Sequence, residues 1–475
     1  MKRVILLIID ALSAPQLLAE MKNGRYPHFQ QLKENGVLRE QCLSIFPSIT
    51  HAALTSIATG KYPAEHGIVG SHWYDVEGEK VVYFSGSFPM VMQKGPGDFF
   101  REFLLELNHE HLQTATIFQQ LEREGYETAC LNFPIYRGDV EHEVNMPLLL
   151  KWIPGLPANT TVWGPKMLLL GDLLNNPEDS EVEASLTGAT HWFGFRDENS
   201  IDLILQLAKT DEFPDFTLAY FPANDKRSHE EGPDEAHKQL TDIDEMLGDL
   251  FASYTNIDSF LEQFVLVITG DHSQSATAAE DEGQGIDLEQ VLSSYQLAEA
   301  GQPWQDDDQI MPCPNLRAAH LYCKSPAPDN VNDITEQLLA DERVDQVLYR
   351  ADLMEESEGY VVRTRQGTLR FWHTAQAVVD HYGNQWAWEG DLHVVDGRVA
   401  EDLLSFTDYP NAFERIAGVL DNPHSGHVWV TAQLGYEFTV SHAKTNPDGG
   451  SHASLHRLDS QPPLFVAGAP EQVTI

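Results

Sequence analysis

Acidic and imidazole side chains stand directly after three of the most apolar stretches in the chain. Asp10 follows Val4 to Ile9, Asp225 and His229 follow Phe216 to Phe221, and Asp271 and His272 follow Phe264 to Thr269 across Gly270. A single carboxylate after an apolar run commonly caps a helix. Three such runs, two of them with a histidine close behind the acid, assemble the oxygen and nitrogen donors that Zn2+ and Mn2+ sites use at loop positions. A second signal is Phe46-Pro47-Ser48-Ile49-Thr50-His51, followed by mostly small residues up to Gly60. Pro47 holds the chain extended, Thr50 is expected to cap a helix, and Gly60 is expected to end it. N–H groups at a helix start can cradle phosphate oxygens, and a hydroxyl there, beside a divalent cation, can become a nucleophile. Taken singly, Thr50 reads as a plain cap and the histidines as satisfied core groups. Together they favour a metal-dependent reaction.

The apolar runs are the elements that must position these groups. Val4 to Ile9 is a continuous β-branched and leucine run, as expected of a central strand buried on both faces, and the runs before Asp225 and Asp271 read alike. Thr128 to Phe133 and Leu464 to Ala467 are further strand candidates. Ile117, Phe118 and Leu121 recur at helical spacing, as do Leu240, Ile243, Leu247, Leu250 and Phe251. Strands alternating with helices predict an α/β fold with a mostly parallel sheet, whose ligands gather at the carboxyl ends of the strands. Residues 134–200, rich in Pro, Gly and Asn, read as an irregular cap excursion. Residues 286–425 read as an inserted, smaller α+β module, with strands Leu316 to Cys323, Val344 to Tyr349, Tyr360 to Arg365 and Gly367 to Trp372, and a helix Val331 to Leu339. The catalytic core is then 1–285 with 426–475. Asp306 to Asp308 and Glu355-Glu356 read as solvated faces.

The chain has 475 residues, and 73 acidic against 30 basic side chains set a net charge of −43. Its 42% hydrophobic content excludes a disordered chain. The charge argues against binding nucleic-acid polymers or anionic membranes, which need clustered Lys and Arg. Cys42, Cys130, Cys313 and Cys323 form no CxxC pair and are expected as buried free thiols in a reducing compartment. The apolar run behind Met1-Lys2-Arg3 ends on Asp10, too early for a secretion signal, and no stretch approaches the ~20 apolar residues that span a bilayer. The expectation is a soluble, cytoplasmic protein acting on a small molecule. Nothing in the sequence sets its oligomeric state.

The segments "VILLIIDAL", "FPSITHAALTSIATGKYPAEHGIVG", "YFPANDKRSHEEGP", "VITGDHSQS" and "GGSHASLHRLD" follow one another from Val4 to Asp459. In type and order they resemble the alkaline phosphatase superfamily and, within it, the type I phosphodiesterase/nucleotide pyrophosphatase family. The resemblance implies a three-layer α/β/α core with inserted cap segments and two divalent ions, zinc first and manganese second. It implies hydrolysis of phosphodiester or nucleotide pyrophosphate bonds, with Thr50 as nucleophile and a phosphothreonine-type intermediate. Asp225, His229 and His452 would hold one ion, with His456 the second choice for the last. Asp10, Asp271 and His272 would hold the other, with Thr50 bridging towards it. His51, His66 and His72 are expected in structural or supporting roles. The family often carries an Asn after the nucleophile as a donor to the non-bridging phosphate oxygen. This chain reads Gly70-Ser71-His72-Trp73 there, which leaves Ser71 or His72 for that role, or no donor at all. The usual Asp-His-Gly-Met reads Asp271-His272-Ser273-Gln274. Lys226 and Arg227 are candidate substrate contacts. A phosphomonoesterase, a phosphonate hydrolase or a phosphoglycerate mutase relative is the alternative on the same core, and a non-catalytic metal-stabilised binding protein is the remote one.

Overall fold

The computed structural model describes residues 2–84, 101–144, 160–171, 173–174, 182, 195–299, 301–354, 358–441 and 443–470. Its main sheet has seven strands in the order Gly36–Arg39, Leu464–Ala467, Phe264–Thr269, Arg3–Ile9, Phe216–Phe221, Thr128–Leu131 and Met167–Leu169. All run the same way except Leu464–Ala467, which is antiparallel to both its neighbours. Ile9 stands opposite Phe221, and Ile8 stands opposite Thr269. This register brings the chain after each strand out at one edge, where Asp10, Asp225 and Asp271 meet.

Both faces of the sheet are covered, as the unbroken apolar strands demand. Ile5, Leu7 and Ile9 face Leu17, Leu203, Ile243, Leu247 and Leu250 of the helices on one side. Ile8 and Leu218 face Phe46, Leu54 and Phe118 on the other. Each aliphatic side chain so buried favours the fold by about 1.5–3 kcal/mol relative to exposure. The helix Ile117–Arg123 starts on a capping box, in which Thr116 and Gln119 each bond the other's backbone N–H.

A second, nine-stranded sheet holds most of the expected insert. Its order is Ile310–Asn315, Ala318–Cys323, Val428–Ala432, Val344–Arg350, Tyr360–Arg363, Thr368–Asp380, Leu403–Phe406 and Gly397–Ala400, with Gln385–Gly390 paired to Thr368–Asp380. Val428–Ala432 sits between Ala318–Cys323 and Val344–Arg350, so this sheet extends past the edge expected at 425. Leu316 and Arg317, expected in a strand, form the turn between the first two strands. The insert is packed onto the core: Phe46 and Trp429 rings meet edge-on with centroids 5.4 Å apart, within one continuous apolar cluster.

Within 134–200, expected as an irregular excursion, Met167–Leu169 is an edge strand of the main sheet and Val140–Glu143 pairs with Thr161–Gly164. Much of the remainder, including 145–159 and 183–194, lies outside the described residues, as do Glu355 and Glu356. Asp308 departs from the solvated reading of its stretch, because it is buried and accepts the Gln305 N–H. The cysteines are free thiols, with Cys130, Cys313 and Cys323 buried.

Candidate metal centre

The sheet edge gathers three carboxylates and three imidazoles. Asp10 and Asp271 leave adjacent parallel strands, and His272 follows directly. Its Nε2 lies 3.5 Å from Asp10 Oδ1, 3.5 Å from Asp271 Oδ2 and 3.2 Å from Thr50 Oγ1. The other carboxyl oxygens are held from behind. Asp271 Oδ1 accepts the Ala11 and His272 N–H groups at 3.1 and 3.0 Å, and Tyr220 donates its hydroxyl to Asp10 Oδ2.

Asp225 and His229 were expected on a loop but lie on the helix Ala223–Glu231. Four-residue spacing places them on one helix face, with His229 Nε2 3.4 Å from Asp225 Oδ1. His452 arrives from the far end of the chain, its Nε2 3.6 Å from the same oxygen. Its ring stacks on that of His272 at 3.8 Å between centroids, which joins the two clusters. Gly449 and Gly450 permit this approach. A Cβ on Gly449 would meet the His229 carbonyl at 2.0 Å, and one on Gly450 would meet Gln274 Oε1 at 2.4 Å.

All three imidazoles turn Nε2 inward and keep Nδ1 against a backbone carbonyl. The partners are Gly450 O at 2.8 Å for His229, Ser273 O at 3.2 Å for His272 and Ser48 O at 2.7 Å for His452. That arrangement fixes the tautomer with a bare Nε2, the form that binds a cation. Burial holds the His452 imidazole well below its ordinary pKa, with His272 and His229 adding to the effect. Burial likewise raises the Asp10 carboxyl well above the usual range, reinforced by Asp271 and Asp225, and raises that of Asp271. Asp10 Oδ1 and Asp271 Oδ2 are buried and accept no hydrogen bond among the described residues. Buried carboxyl oxygens that converge with bare imidazole nitrogens fit a divalent cation. Asp10–Asp271–His272 and Asp225–His272–His452 are each compact enough to surround one ion.

Thr50 is not the helix cap. It is the first residue of Thr50–Thr59, with Ile49 before it, and its hydroxyl makes no cap bond. That hydroxyl is instead turned to His272, while Gly60 ends the helix at φ 70° as expected. His51 Nδ1 meets Ser71 Oγ at 2.8 Å. His66 bonds Ser56 Oγ and the Ile68 N–H, and burial lowers its pKa to about 3, so it is a neutral structural group. His72 is buried edge-on against Tyr83. His456 caps the short helix Arg457–Ser460 through Nδ1 and faces Tyr409, which sets it apart from the clusters. Lys226 is exposed, and Arg227 donates to the Gln239 carbonyl at 3.2 Å.

Several supporting residues carry no sequence signal of their own. Tyr220 lies inside an apolar strand. Asn224 donates to the Asp10 and Ala11 carbonyls at 2.9 and 3.1 Å, and Gln274 donates to Asp225 Oδ1 at 2.5 Å. Of these, only Gln274 stands out in the sequence, as a departure from the resembled motif.

Residues 4–455 match the sequence profile described as type I phosphodiesterase/nucleotide pyrophosphatase. The chain belongs to this family. The curated bis(5'-adenosyl)-triphosphatase ENPP4 of Bos taurus is 36% identical over 78 residues, 16% of each chain, so the match spans only a small part of that relative. Among solved structures, murine ectonucleotide pyrophosphatase/phosphodiesterase 5 superposes with TM-score 0.56 at 13% identity, over 98% of this chain and 88% of the other. Phosphonoacetate hydrolase from Sinorhizobium meliloti 1021, in complex with phosphonoformate, superposes with TM-score 0.57 at 17% identity, over 100% and 92%. These likenesses support the alkaline phosphatase-like fold with its large, mostly parallel sheet. Among the described residues, no helix is long and apolar enough to cross a membrane.

Proposed function

We propose that this protein is a two-metal hydrolase of phosphodiester or nucleotide pyrophosphate bonds, with Thr50 as nucleophile. The observation that carries the reading is the Thr50 hydroxyl 3.2 Å from His272 Nε2, the nitrogen on which Asp10 and Asp271 also converge. Asp10, Asp271 and His272 would hold one ion, and Asp225, His229 and His452 the other. The mixed oxygen and nitrogen donors suit zinc, with manganese second. Bound there, the two ions would supply charge stabilisation for the attacking and leaving oxygens of an in-line displacement.

The chain's own groups do the remaining work. The Thr50 Oγ1–phosphorus bond forms as the bond to the leaving alcohol or phosphate breaks, the hydroxyl proton ending on the leaving oxygen, which leaves a phosphorylated or nucleotidylated threonine. Water then attacks the same phosphorus and returns Thr50 to its free hydroxyl. Helix Thr50–Thr59 starts at the reacting oxygen, so its first N–H groups face the charge that develops on phosphorus. Ser71, joined to His51 beside the nucleophile, is the candidate donor to a non-bridging oxygen. The occupant is a small phosphate ester, and the net charge of −43 disfavours a nucleic-acid polymer.

Metal analysis combined with turnover of bis-p-nitrophenyl phosphate tests the reading. About two retained or restorable divalent ions per chain are expected, with activity lost on chelation. Thr50→Ala should abolish turnover while the metal content stays at the wild-type value. A wild-type rate in that variant would place the nucleophile elsewhere.

A further inference from the structure

The tip of the insert's first hairpin reaches into this centre. Asn315 pairs with Ala318, so the turn consists of Leu316 and Arg317. Leu316 has φ 60°, a left-handed value that glycine usually supplies in two-residue hairpin turns. A leucine stays there only if its surroundings hold it. Phe438 N–H donates to the Leu316 carbonyl at 2.8 Å, Ala432 N–H to the Arg317 carbonyl at 2.9 Å, and Arg317 N–H to the His452 carbonyl at 3.1 Å. The last of these bonds ends on a candidate ligand residue.

The two flanking side chains grip opposite sides of the centre. Arg317 is fully buried. Its Nη2 donates to the Ser275 carbonyl at 3.3 Å and the Ser451 carbonyl at 3.3 Å, one on each strand of the short ribbon that follows His272 and precedes His452. Its Nε lies 3.0 Å from Asp459 Oδ2, and Asp459 in turn accepts the Ser275 and Ser454 hydroxyls, both at 2.6 Å. The guanidinium–carboxylate pair therefore closes around both ligand segments. On the other side, Asn315 Oδ1 accepts the Ser71 and His72 N–H groups at 2.9 and 3.1 Å, while its Nδ2 donates to the His72 carbonyl at 2.8 Å.

We propose that this hairpin tip is a positioning element of the reaction centre. Arg317 sets the separation of the segments that carry His272 and His452, and Asn315 sets the loop that carries Ser71. The inserted sheet thereby governs both metal retention and substrate placement. The inference rests on the two-metal reading above. A lysine keeps the charge but lacks the planar fork that reaches both carbonyls and Asp459 together.

Linkage requires that a tip which orders the ligands is itself ordered when they bind metal. Hydrogen exchange on the full wild-type chain, zinc-loaded and chelator-stripped, should show faster exchange of the 310–323 hairpin after stripping. By chelator competition, Arg317→Lys should bind zinc about 10–100-fold more weakly, the usual effect of losing a group that orients ligands, and excess zinc should restore its turnover. Asn315→Ala should keep wild-type zinc affinity but show a raised KM that excess zinc does not correct. Unchanged hairpin exchange, or wild-type zinc affinity in a folded Arg317→Lys, would reduce the tip to a plain packing contact and overturn the proposal. The exchange comparison decides the matter alone if the variant does not fold. A wild-type protein that binds no zinc would instead overturn the two-metal reading.

Discussion

The two proposed ligand clusters share a sheet edge and a stacked histidine pair but are built differently. In the inner one, Asp10, Asp271 and His272 have side chains 0–5% exposed, and their strands fix them directly. In the outer one, Asp225 and His229 are 19% and 17% exposed, lie on a helix, and depend on His452 from a remote segment. Asp225 Oδ1 also accepts a hydrogen bond from Gln274. The difference teaches that one centre can combine a rigid, desolvated half with an adjustable, more open one. Metal should therefore leave the outer half first.

Asp271→Asn is the severest way to break that contrast. The amide preserves the shape that receives the Ala11 and His272 N–H groups, yet it removes the buried charge facing the ion. Turnover should fall by at least ~10³, on the order of 4 kcal/mol of barrier, with inner-site metal lost. Burial raises the Asp271 pKa, so in the metal-free protein the charged form opposes folding at neutral pH. Metal-free Asp271→Asn should therefore melt no lower than metal-free wild type. A variant that kept both ions and full activity would put the inner ligand elsewhere.

His229→Ala sharpens the same contrast from the outer side. It should weaken one ion by more than the 10–100-fold that losing an outer supporting group costs, while the other stays bound. Added zinc should recover much of the turnover. Equal loss of both ions would show that the halves are a single coupled site.

The strand ends that carry Asp10 and Asp271 were legible because their strands are apolar on both faces, which few other environments require. Asp225 and His229 were legible as a pair, but their helix was not, since the chain there is polar almost throughout and its packing against Gly449 and Gly450 is tertiary. Thr50 shows the limit of cap rules: its hydroxyl is drawn to His272 and does not close onto its own helix. Leu316 and Arg317 were hidden for a related reason. Apolar neighbours made them read as strand, while the bonds that hold their turn come from Phe438, Ala432 and His452, far along the chain. Tyr220 and Asn224 offer no local mark of their partners at all.

Away from the proposed metal centre, acid should act on two buried histidines whose hydrogen bonds require them to be neutral. His237 accepts the Ser13 N–H at Nε2 and bonds the Pro233 carbonyl through Nδ1. His320 likewise accepts the Gly426 N–H and bonds the His72 carbonyl. Burial lowers each to about 4. The unfolded chain binds these protons near pH ~6.5, so stability is complete above that pH and declines as pH falls towards 4. The slope approaches about 1.4 kcal/mol per pH unit for each histidine at full difference. Melting curves from pH 7 to 4 should show the decline in the metal-free protein too, and His237→Gln should reduce its steepness. A flat profile would mean that neither ring is constrained to its neutral form.

The smallest effect is expected at Lys226 and Arg227, next to the outer ligand Asp225. A phosphomonoester dianion carries an extra charged oxygen, and enzymes that prefer it commonly set a cation opposite that oxygen. Arg227 is turned to the Gln239 carbonyl and Lys226 is exposed. An acidic surround also repels a dianion more than a monoanionic diester, although the ions of a loaded centre would offset this locally. An aryl phosphodiester should therefore show a higher kcat/KM than the matching monoester. Lys226→Ala and Arg227→Ala should each keep diester turnover within about tenfold, or ~1.4 kcal/mol of barrier. A monoester preference that collapsed in either variant would make the outer half a phosphate clamp, and the proposed activity would move to phosphomonoester hydrolysis.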